Sequence, residues 1–171
     1  MYAHELYRCL RALLALAAAL VGAVMSAAQP ASSVPYPEGF RAWQHVKSDV
    51  VGPAHASFAN RGGFHHFYAN SVAIEGYKTG RFPNGSVLVD EGVAAIDGDD
   101  KLKGIVLEGE RRTVDVMVKD DRLYKDTGGW GFEHFKGNEK SGTLPAGGGS
   151  QCFQCHGKQV DRDSVFGRIR P

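Results

Sequence analysis

The segment Cys152-Phe153-Gln154-Cys155-His156 constrains this 171-residue chain more than any other feature. Residues three apart lie on one face of a helical turn, so both thiols can reach the same side of a flat cofactor. The histidine that follows can then bind a metal at the centre of that cofactor. Two cysteines and a histidine at this spacing are the attachment signature of haem c. The segment predicts one covalent haem, with thioether bonds from Cys152 and Cys155 and His156 as axial iron ligand.

Three other uses of the two cysteines remain open at this point. A redox dithiol is typical of a helix start in a βαβ unit, whereas this motif follows a glycine-rich stretch near the C-terminus. A zinc site needs further ligands, and the sequence has no second C-x-x-C pair. A plain disulfide would not require the adjacent His156.

The N-terminal residues have the pattern of a secretory signal. Arg8 and Arg11 precede an apolar run over residues 13–21, and small residues at 26–28 suit a signal peptidase. We predict a signal peptide over residues 1–28, cleavage near Ala28 and a periplasmic protein. An uncleaved N-terminal anchor is the alternative. Cys9 would leave with the signal peptide, so the motif holds both remaining cysteines.

The charge of the mature chain is balanced, with as many acidic as basic residues after the predicted cleavage. No basic stripe or tail is visible. The sequence therefore predicts neither a nucleic-acid partner nor a membrane surface as partner once the signal is removed.

Hydrophobic patterns predict an α+β fold, predominantly antiparallel β with a few short helices. We predict a flexible mature N-terminus over residues 29–35 and a single domain over residues 36–171. The predicted strands are 64–69, 86–91, 104–108, 112–118 and 130–136. The predicted helices are 37–46, 71–79 and 120–127, the second of them capped by Asn70 and ended by Gly80.

The sixth iron position depends on Met117, the single methionine of the mature chain. Alternation in the strand over residues 112–118 places it on one face with Asp115, opposite the valines. A methionine on a strand face is more often a packing residue than an iron ligand. We therefore expect an open or water-bound sixth position.

Several stretches of the chain resemble the cytochrome P-460 family, which includes the cytochrome c′-beta proteins. The stretches that carry the resemblance are residues 36–43, 77–89, 118–120, 130–132 and 152–156. The resemblance implies a cytochrome P-460-like haem domain: a periplasmic, mostly antiparallel β protein, usually a homodimer, with five-coordinate haem c. Some members oxidise hydroxylamine, and others bind nitric oxide or related small ligands.

One departure from the enzymatic members concerns the lysine that they link to the porphyrin. The resemblance places Asp90 at that position, and a carboxylate cannot form the amine link. Lys78 lies on the preceding predicted helix and does not match the position. We therefore expect an ordinary haem c without this additional link.

The resemblance also suggests distal residues. Asp115 stands where the enzymatic members have a glutamate, and it could accept a proton from a bound substrate; an ordinary hydrogen-bonded strand carboxylate is the alternative. Phe64 falls near the family's distal arginine, which suggests an apolar distal cap that favours neutral diatomic ligands. His65 and His66 should point to opposite faces of a strand, and one of them could line the pocket. Arg61 has no assigned role.

These observations leave three hypotheses for function. The first is a periplasmic single-haem cytochrome that binds nitric oxide or a related small nitrogen ligand at an open distal site, with redox activity on that ligand as an extension. The second is a hydroxylamine-oxidising enzyme. The third is an electron-transfer cytochrome in which Met117 ligates iron. A redox partner protein and a homodimer are further expectations.

Overall fold

The computed structural model describes residues 34–169, in which five strands form one antiparallel sheet in the order β1-β2-β3-β4-β5. The strands are β1 Gln44–Val51, β2 Gly63–Ala69, β3 Val87–Asp97, β4 Val106–Lys119 and β5 Trp130–Lys136. The α-helices are α1 Phe58–Arg61, α2 Ser71–Thr79 and α3 Gly149–His156. Short 3₁₀ turns cover Phe40–Ala42, Asp100–Leu102, Lys125–Thr127 and Val160–Arg162. The predicted α+β class, predominantly antiparallel β, is confirmed.

The predicted signal peptide, residues 1–28, lies outside the described residues, as do residues 29–33 of the predicted flexible segment. Val34, within that segment, is buried against the sheet. Between residues 34 and 169, no helix combines the length and the apolar character needed to cross a membrane.

The strand register gives the sheet two different faces. Alternate residues point to opposite sides, so each buried valine of β4 is followed by a residue on the other face. One face, here called the valine face, buries a cluster of Val34, Phe40, Val89, Val114, Val116 and Phe135. The other, here called the α3 face, buries a cluster of Val46, Ala69, Ala73, Phe82, Leu88, Trp130, Phe132 and Val165. Helix α3 lies on this second face, where the half-buried Cys152 and Phe153 pack against the cluster.

The predicted cap of helix α2, Asn70, and its predicted end, Gly80, are both confirmed. The Asn70 side chain accepts a hydrogen bond from the Ala73 amide at 2.9 Å and another from the Val87 amide at 3.1 Å. This cap therefore fixes both the start of the helix and the start of β3. Gly80 ends the helix with a φ of 78°, a conformation that favours glycine.

The predicted helix over residues 37–46 is wrong beyond one 3₁₀ turn, because β1 begins at Gln44. The three-residue spacing of Phe40, Trp43 and Val46 is typical of one helical face, yet Phe40 and Val46 are buried on opposite sides of the sheet. Trp43 is already extended, with φ −80° and ψ 176°. From Gln44 onward the chain therefore pairs with β2 as a strand, although the spacing of its apolar residues also suits a helix.

Two further boundaries differ from prediction. The strands predicted at 104–108 and 112–118 are one long strand, β4, because β3 also continues to Asp97 and pairs with it along its length. The predicted helix over 120–127 is a series of turns in which the Asp120 side chain accepts hydrogen bonds from the amides of Arg122 and Leu123. A side chain that binds nearby amides competes with helix formation.

Candidate haem site

Helix α3 carries the Cys152–His156 motif and lies against β5. The helix follows a glycine-rich turn. A Cβ added to Gly149 would lie 3.4 Å from the Phe132 ring, so the start of the helix is close to β5. Cys152 is half-buried and Cys155 is exposed, and both are free thiols. Burial raises the pKa of the Cys152 thiol, and the negative charge of Asp115 raises it further. The helix therefore presents two free thiols three residues apart, of which Cys152 packs against the sheet and Cys155 is exposed.

The His156 imidazole is fixed in one orientation. Its Nδ1 lies 2.9 Å from the Ser164 carbonyl oxygen, which can only accept, so Nδ1 carries the proton. Nε2 keeps its lone pair, and no side chain or amide of residues 34–169 forms a hydrogen bond with it. The rings of Phe132 and Phe166 enclose the imidazole at centroid distances of 5.2 and 4.8 Å.

The neutral form of His156 is favoured by its surroundings. Burial lowers the pKa of His156, and the Ser164 carbonyl offsets part of that effect. A neutral imidazole with a free Nε2 is the form that binds metals. In this form, His156 could bind a metal through Nε2.

A group of charged side chains lies on the same α3 face as the apolar cluster. Asp90, Asp115 and His134 are directly opposite one another on β3, β4 and β5. Arg61 reaches in from α1, with guanidinium nitrogens 2.5 Å from Asp90 and 3.3 Å from Asp115. His65 completes this set, which we call the polar cluster.

Each histidine of the polar cluster is held by a carboxylate. His65 is buried, with Nδ1 2.8 Å from Asp90 and Nε2 2.7 Å from the Arg61 carbonyl oxygen. Both of these partners are acceptors and favour the protonated form, whereas the Arg61 guanidinium, a donor 3.4 Å from the same Nδ1, opposes it. The hydrogen bond to Asp90 accordingly raises the pKa of His65. Likewise, the hydrogen bond from His134 Nδ1 to Asp115, at 2.6 Å, raises the pKa of His134.

The polar cluster and α3 lie on the same face of the sheet. After burial and the Ser164 hydrogen bond, the charges of Arg61, Asp115 and Asp90 all act on the pKa of His156. A cofactor held by α3 would therefore lie on the sheet face that carries these charged groups.

The structure brings together most, but not all, of the residues singled out from sequence. Asp90 and Asp115 belong to the polar cluster, and Met117 shares their face as predicted, packed against the apolar cluster. Phe64 lies on the valine face, where its ring stacks with His66 at 6.3 Å. The geometry therefore does not bring Phe64 to the polar cluster, because one residue along a strand reverses the face.

Three residues of the site had no assigned role in the sequence. Arg61 stands on a four-residue helix, which leaves no periodic pattern. Phe67, and not Phe64, is the β2 aromatic opposite Asp90, with the Lys47 ammonium 4.4 Å from its ring centroid. His134 alternates with Trp130 and Phe132 along β5, a signal that becomes informative only once the register with Asp115 is known.

The donor groups fit a haem. Two free thiols on one helix, a neutral histidine with an open Nε2 and an adjacent apolar surface are the features that hold such a group. In the described part of the chain, no three His, Cys, Asp or Glu side chains are grouped so as to hold a metal ion.

Comparison with known proteins gives one result at the level of families. The family model for cytochrome P460 matches residues 37–167. The match extends from before β1 to beyond α3, so it includes the polar cluster, the apolar cluster and the cysteine motif. Comparison with individual curated proteins finds no match. Proteins of this family are haem-binding cytochromes, and the chain, matched over most of its length and carrying donor groups that fit a haem, belongs to the cytochrome P460 family.

Proposed function

We propose that this protein is a periplasmic cytochrome with one haem c, and that it binds nitric oxide or a related small nitrogen ligand at an open distal site. In this proposal Cys152 and Cys155 form the thioether bonds, and His156 binds the iron through Nε2. The observation that carries it is the free Nε2 of His156, on a helix that packs against the sheet face that also carries the polar cluster. When bound, haem supplies an iron that can take a small ligand and change its oxidation state.

Met117 supports an open sixth position. Its side chain packs against the apolar cluster between Leu88 of β3 and Phe132 of β5, its neighbours across the sheet. The groups beside it on the same face are carboxylates, a guanidinium and histidines. Such groups orient and hydrogen-bond a ligand, whereas an electron carrier needs a second protein ligand to iron.

The charges of the polar cluster suit a neutral ligand. Arg61 and the protonated form of His65 would offset the carboxylates of Asp90 and Asp115, and protonation of His134, whose pKa Asp115 raises, would add one positive charge. Arg61 can donate a hydrogen bond to a bound ligand, and Asp115 can accept one. The site is therefore polar without being strongly attractive to ions of one sign, which differs from the apolar cap expected around Phe64.

Hydroxylamine oxidation is a second candidate, and the Asp115–His134 pair favours it. A carboxylate held at 2.6 Å by a histidine and also bonded to Arg61 is positioned to accept protons from a bound substrate. The absence of a lysine at residue 90 argues the other way, because the family's enzymatic members link that lysine to the porphyrin.

The test begins with expression in cells that attach haem, fractionation and mass spectrometry of the periplasmic protein. We expect one covalent haem, lost in a Cys152→Ser/Cys155→Ser variant, and a bare polypeptide in wild type would contradict the proposal.

Optical spectra of the reduced protein should be high-spin and should shift when nitric oxide is added. Met117→Leu is the matched control and should leave both spectra unchanged. A low-spin spectrum that ignores nitric oxide in wild type and becomes high-spin in Met117→Leu would instead identify an electron carrier.

The two ligand hypotheses separate by turnover. Steady oxidation of hydroxylamine with an artificial electron acceptor, reduced in Asp115→Asn, would favour the enzyme. Ligand binding without turnover would favour the first proposal.

A further inference from the structure

A buried ion pair lies behind the histidine ligand, outside the polar cluster. Lys119, at the end of β4, is 6% exposed, and its ammonium lies 2.9 Å from Asp163 Oδ1. The same ammonium donates to the Gly128 carbonyl oxygen at 3.0 Å and stands 5.2 Å from the Trp130 ring centroid. Burying a charged ammonium costs free energy unless the ammonium is paired and hydrogen-bonded. These contacts therefore hold Lys119 and its partners in place.

Asp163 is held from three sides. Its second carboxylate oxygen accepts the Phe82 amide at 2.9 Å, and its backbone carbonyl accepts the Trp130 indole N–H at 2.8 Å. Together with the Lys119 ion pair, these contacts tie the segment after α3 to β4, β5 and the residues that follow α2.

The backbone at this point is strained. Among residues 34–169, Asp163 and Ser164 are the non-glycine residues with positive φ, at 49° and 67°, and they are consecutive. Side chains disfavour this conformation, so it persists only where surrounding contacts impose it. Strain at an adjacent pair of residues indicates that the position of their peptide groups matters.

The strained turn directs one carbonyl at the histidine ligand. The Ser164 oxygen accepts the Nδ1 proton of His156 at 2.9 Å, and Ser164 is itself buried. We infer that Lys119 and Asp163 are positioning residues that hold the Ser164 carbonyl against His156 and thereby set the strength of the bond from Nε2 to iron. The inference rests on the haem proposed above.

The physical reason lies in the link between the two ring nitrogens. A hydrogen bond donated by Nδ1 increases the electron density at Nε2 and fixes the ring plane. If the segment 163–164 relaxes, the Nδ1 hydrogen bond lengthens and Nε2 becomes a weaker donor. The iron–histidine vibration should then fall in frequency, and the reduction potential should rise because the oxidised iron is stabilised less.

The experiment compares Asp163→Asn with wild type in the haem-loaded protein. Asparagine keeps a similar shape and can still accept a hydrogen bond from the Phe82 amide, but it removes the nearer and more buried of the two carboxylate charges that pair with Lys119, the other being Asp121 at 3.4 Å. We expect the iron–histidine band of the reduced protein, seen by resonance Raman spectroscopy, to move to lower frequency and broaden, and the potential to rise. Lys119→Met should act in the same direction.

Glu91→Gln is the matched control for a general loss of stability. Glu91 is buried on the valine face and pairs with Arg111 at 2.5 Å, so its loss also breaks a buried ion pair. We expect this variant to lose stability and to keep the wild-type band. Loss of stability in Asp163→Asn with an unchanged band and potential would overturn the inference and leave the pair as a structural tie.

A further variant covers the case in which the charge variants do not fold. Ser164→Gly removes the strain of the positive φ and keeps every backbone group. The backbone at residue 164 then gains conformational freedom, so its carbonyl should be held less firmly and the iron–histidine band should broaden. A band identical to wild type would overturn the inference.

Failure of the proposed function would be visible separately, as a wild-type protein without covalent haem. The Nδ1 proton of His156, followed by ¹⁵N NMR, then decides the inference. It should exchange slowly in wild type and faster in Asp163→Asn, and equal exchange in the two proteins would refute it.

Discussion

Replacing Asp115 by asparagine should destabilise the protein by an amount that depends on pH. Hydrogen bonds to charged groups contribute about 1.5–3 kcal/mol to stability. The His134 and Asp115 side chains are 36% and 29% exposed, so solvent screens their interaction and about 1 kcal/mol is the appropriate expectation. The longer contact from Arg61, at 3.3 Å and itself 43% exposed, adds at most a few tenths of a kcal/mol.

The sign of the pH dependence follows from the pKa of His134. Asp115 raises this pKa in the folded protein above the unfolded value of about 6.5. The extra stability is therefore complete below about pH 6.5 and is lost as the pH rises through the folded pKa. The cost of Asp115→Asn should be about 1 kcal/mol at pH 6 and clearly smaller at pH 9, where asparagine can still accept a hydrogen bond from neutral His134.

Urea unfolding of wild type and variant at both pH values measures this difference, and the NMR titration of the His134 ring should show a lower midpoint in Asp115→Asn. Glu75→Gln is the control, because Glu75 pairs with exposed Lys78 at 3.5 Å and has no histidine partner. Its small effect should be the same at pH 6 and pH 9. An equal cost of Asp115→Asn at the two pH values would refute the charged pair.

Three further substitutions test the packing and the buried charge, each by urea unfolding or thermal melting. Asn70→Ala removes a side-chain cap and should cost about 1 kcal/mol; an unchanged midpoint would show that the cap is dispensable. Gly76→Ala would place a Cβ 2.2 Å from the buried Phe82 ring and should cost about 1–3 kcal/mol despite alanine's higher helix propensity; a stabilised variant would show that this ring can move. Glu91→Gln leaves Arg111 without its charged partner and should cost about 3–5 kcal/mol, whereas a loss below 1 kcal/mol would indicate that water enters the pair.

Much of the fold could be predicted from sequence wherever local signals and tertiary packing agree. Helix α2 has a capping asparagine, a helical apolar face and a terminal glycine, and β5 is a short run rich in aromatic residues that follows two glycines. Where they disagree, the local signal misled. The spacing of Phe40 and Val46 suits a helix, but the chain between them crosses from one side of the sheet to the other.

The two sides of the candidate site differ in how well they could be predicted from the sequence. The motif of α3 is contiguous, so spacing alone predicted its chemistry. The polar cluster comes from α1 and four different strands or turns, and its members meet only through the register of the sheet. Asp115 was identified through a family resemblance, whereas Arg61 and His134 carried no local signal. The Lys119–Asp163 pair is 44 residues apart in the chain and could not be anticipated without the fold.

The register of β3 and β4 explains why Arg61 is needed at the polar cluster. Asp90 and Asp115 are directly opposite each other on neighbouring antiparallel strands, an arrangement in which like charges repel. The guanidinium of Arg61 reaches both carboxylates, and His65 supplies a second positive charge to Asp90. Asp90 therefore has a consequence for the charge balance of the polar cluster. It places a second carboxylate beside Asp115, and the fold sets the Arg61 guanidinium where it reaches both carboxylates and offsets their repulsion.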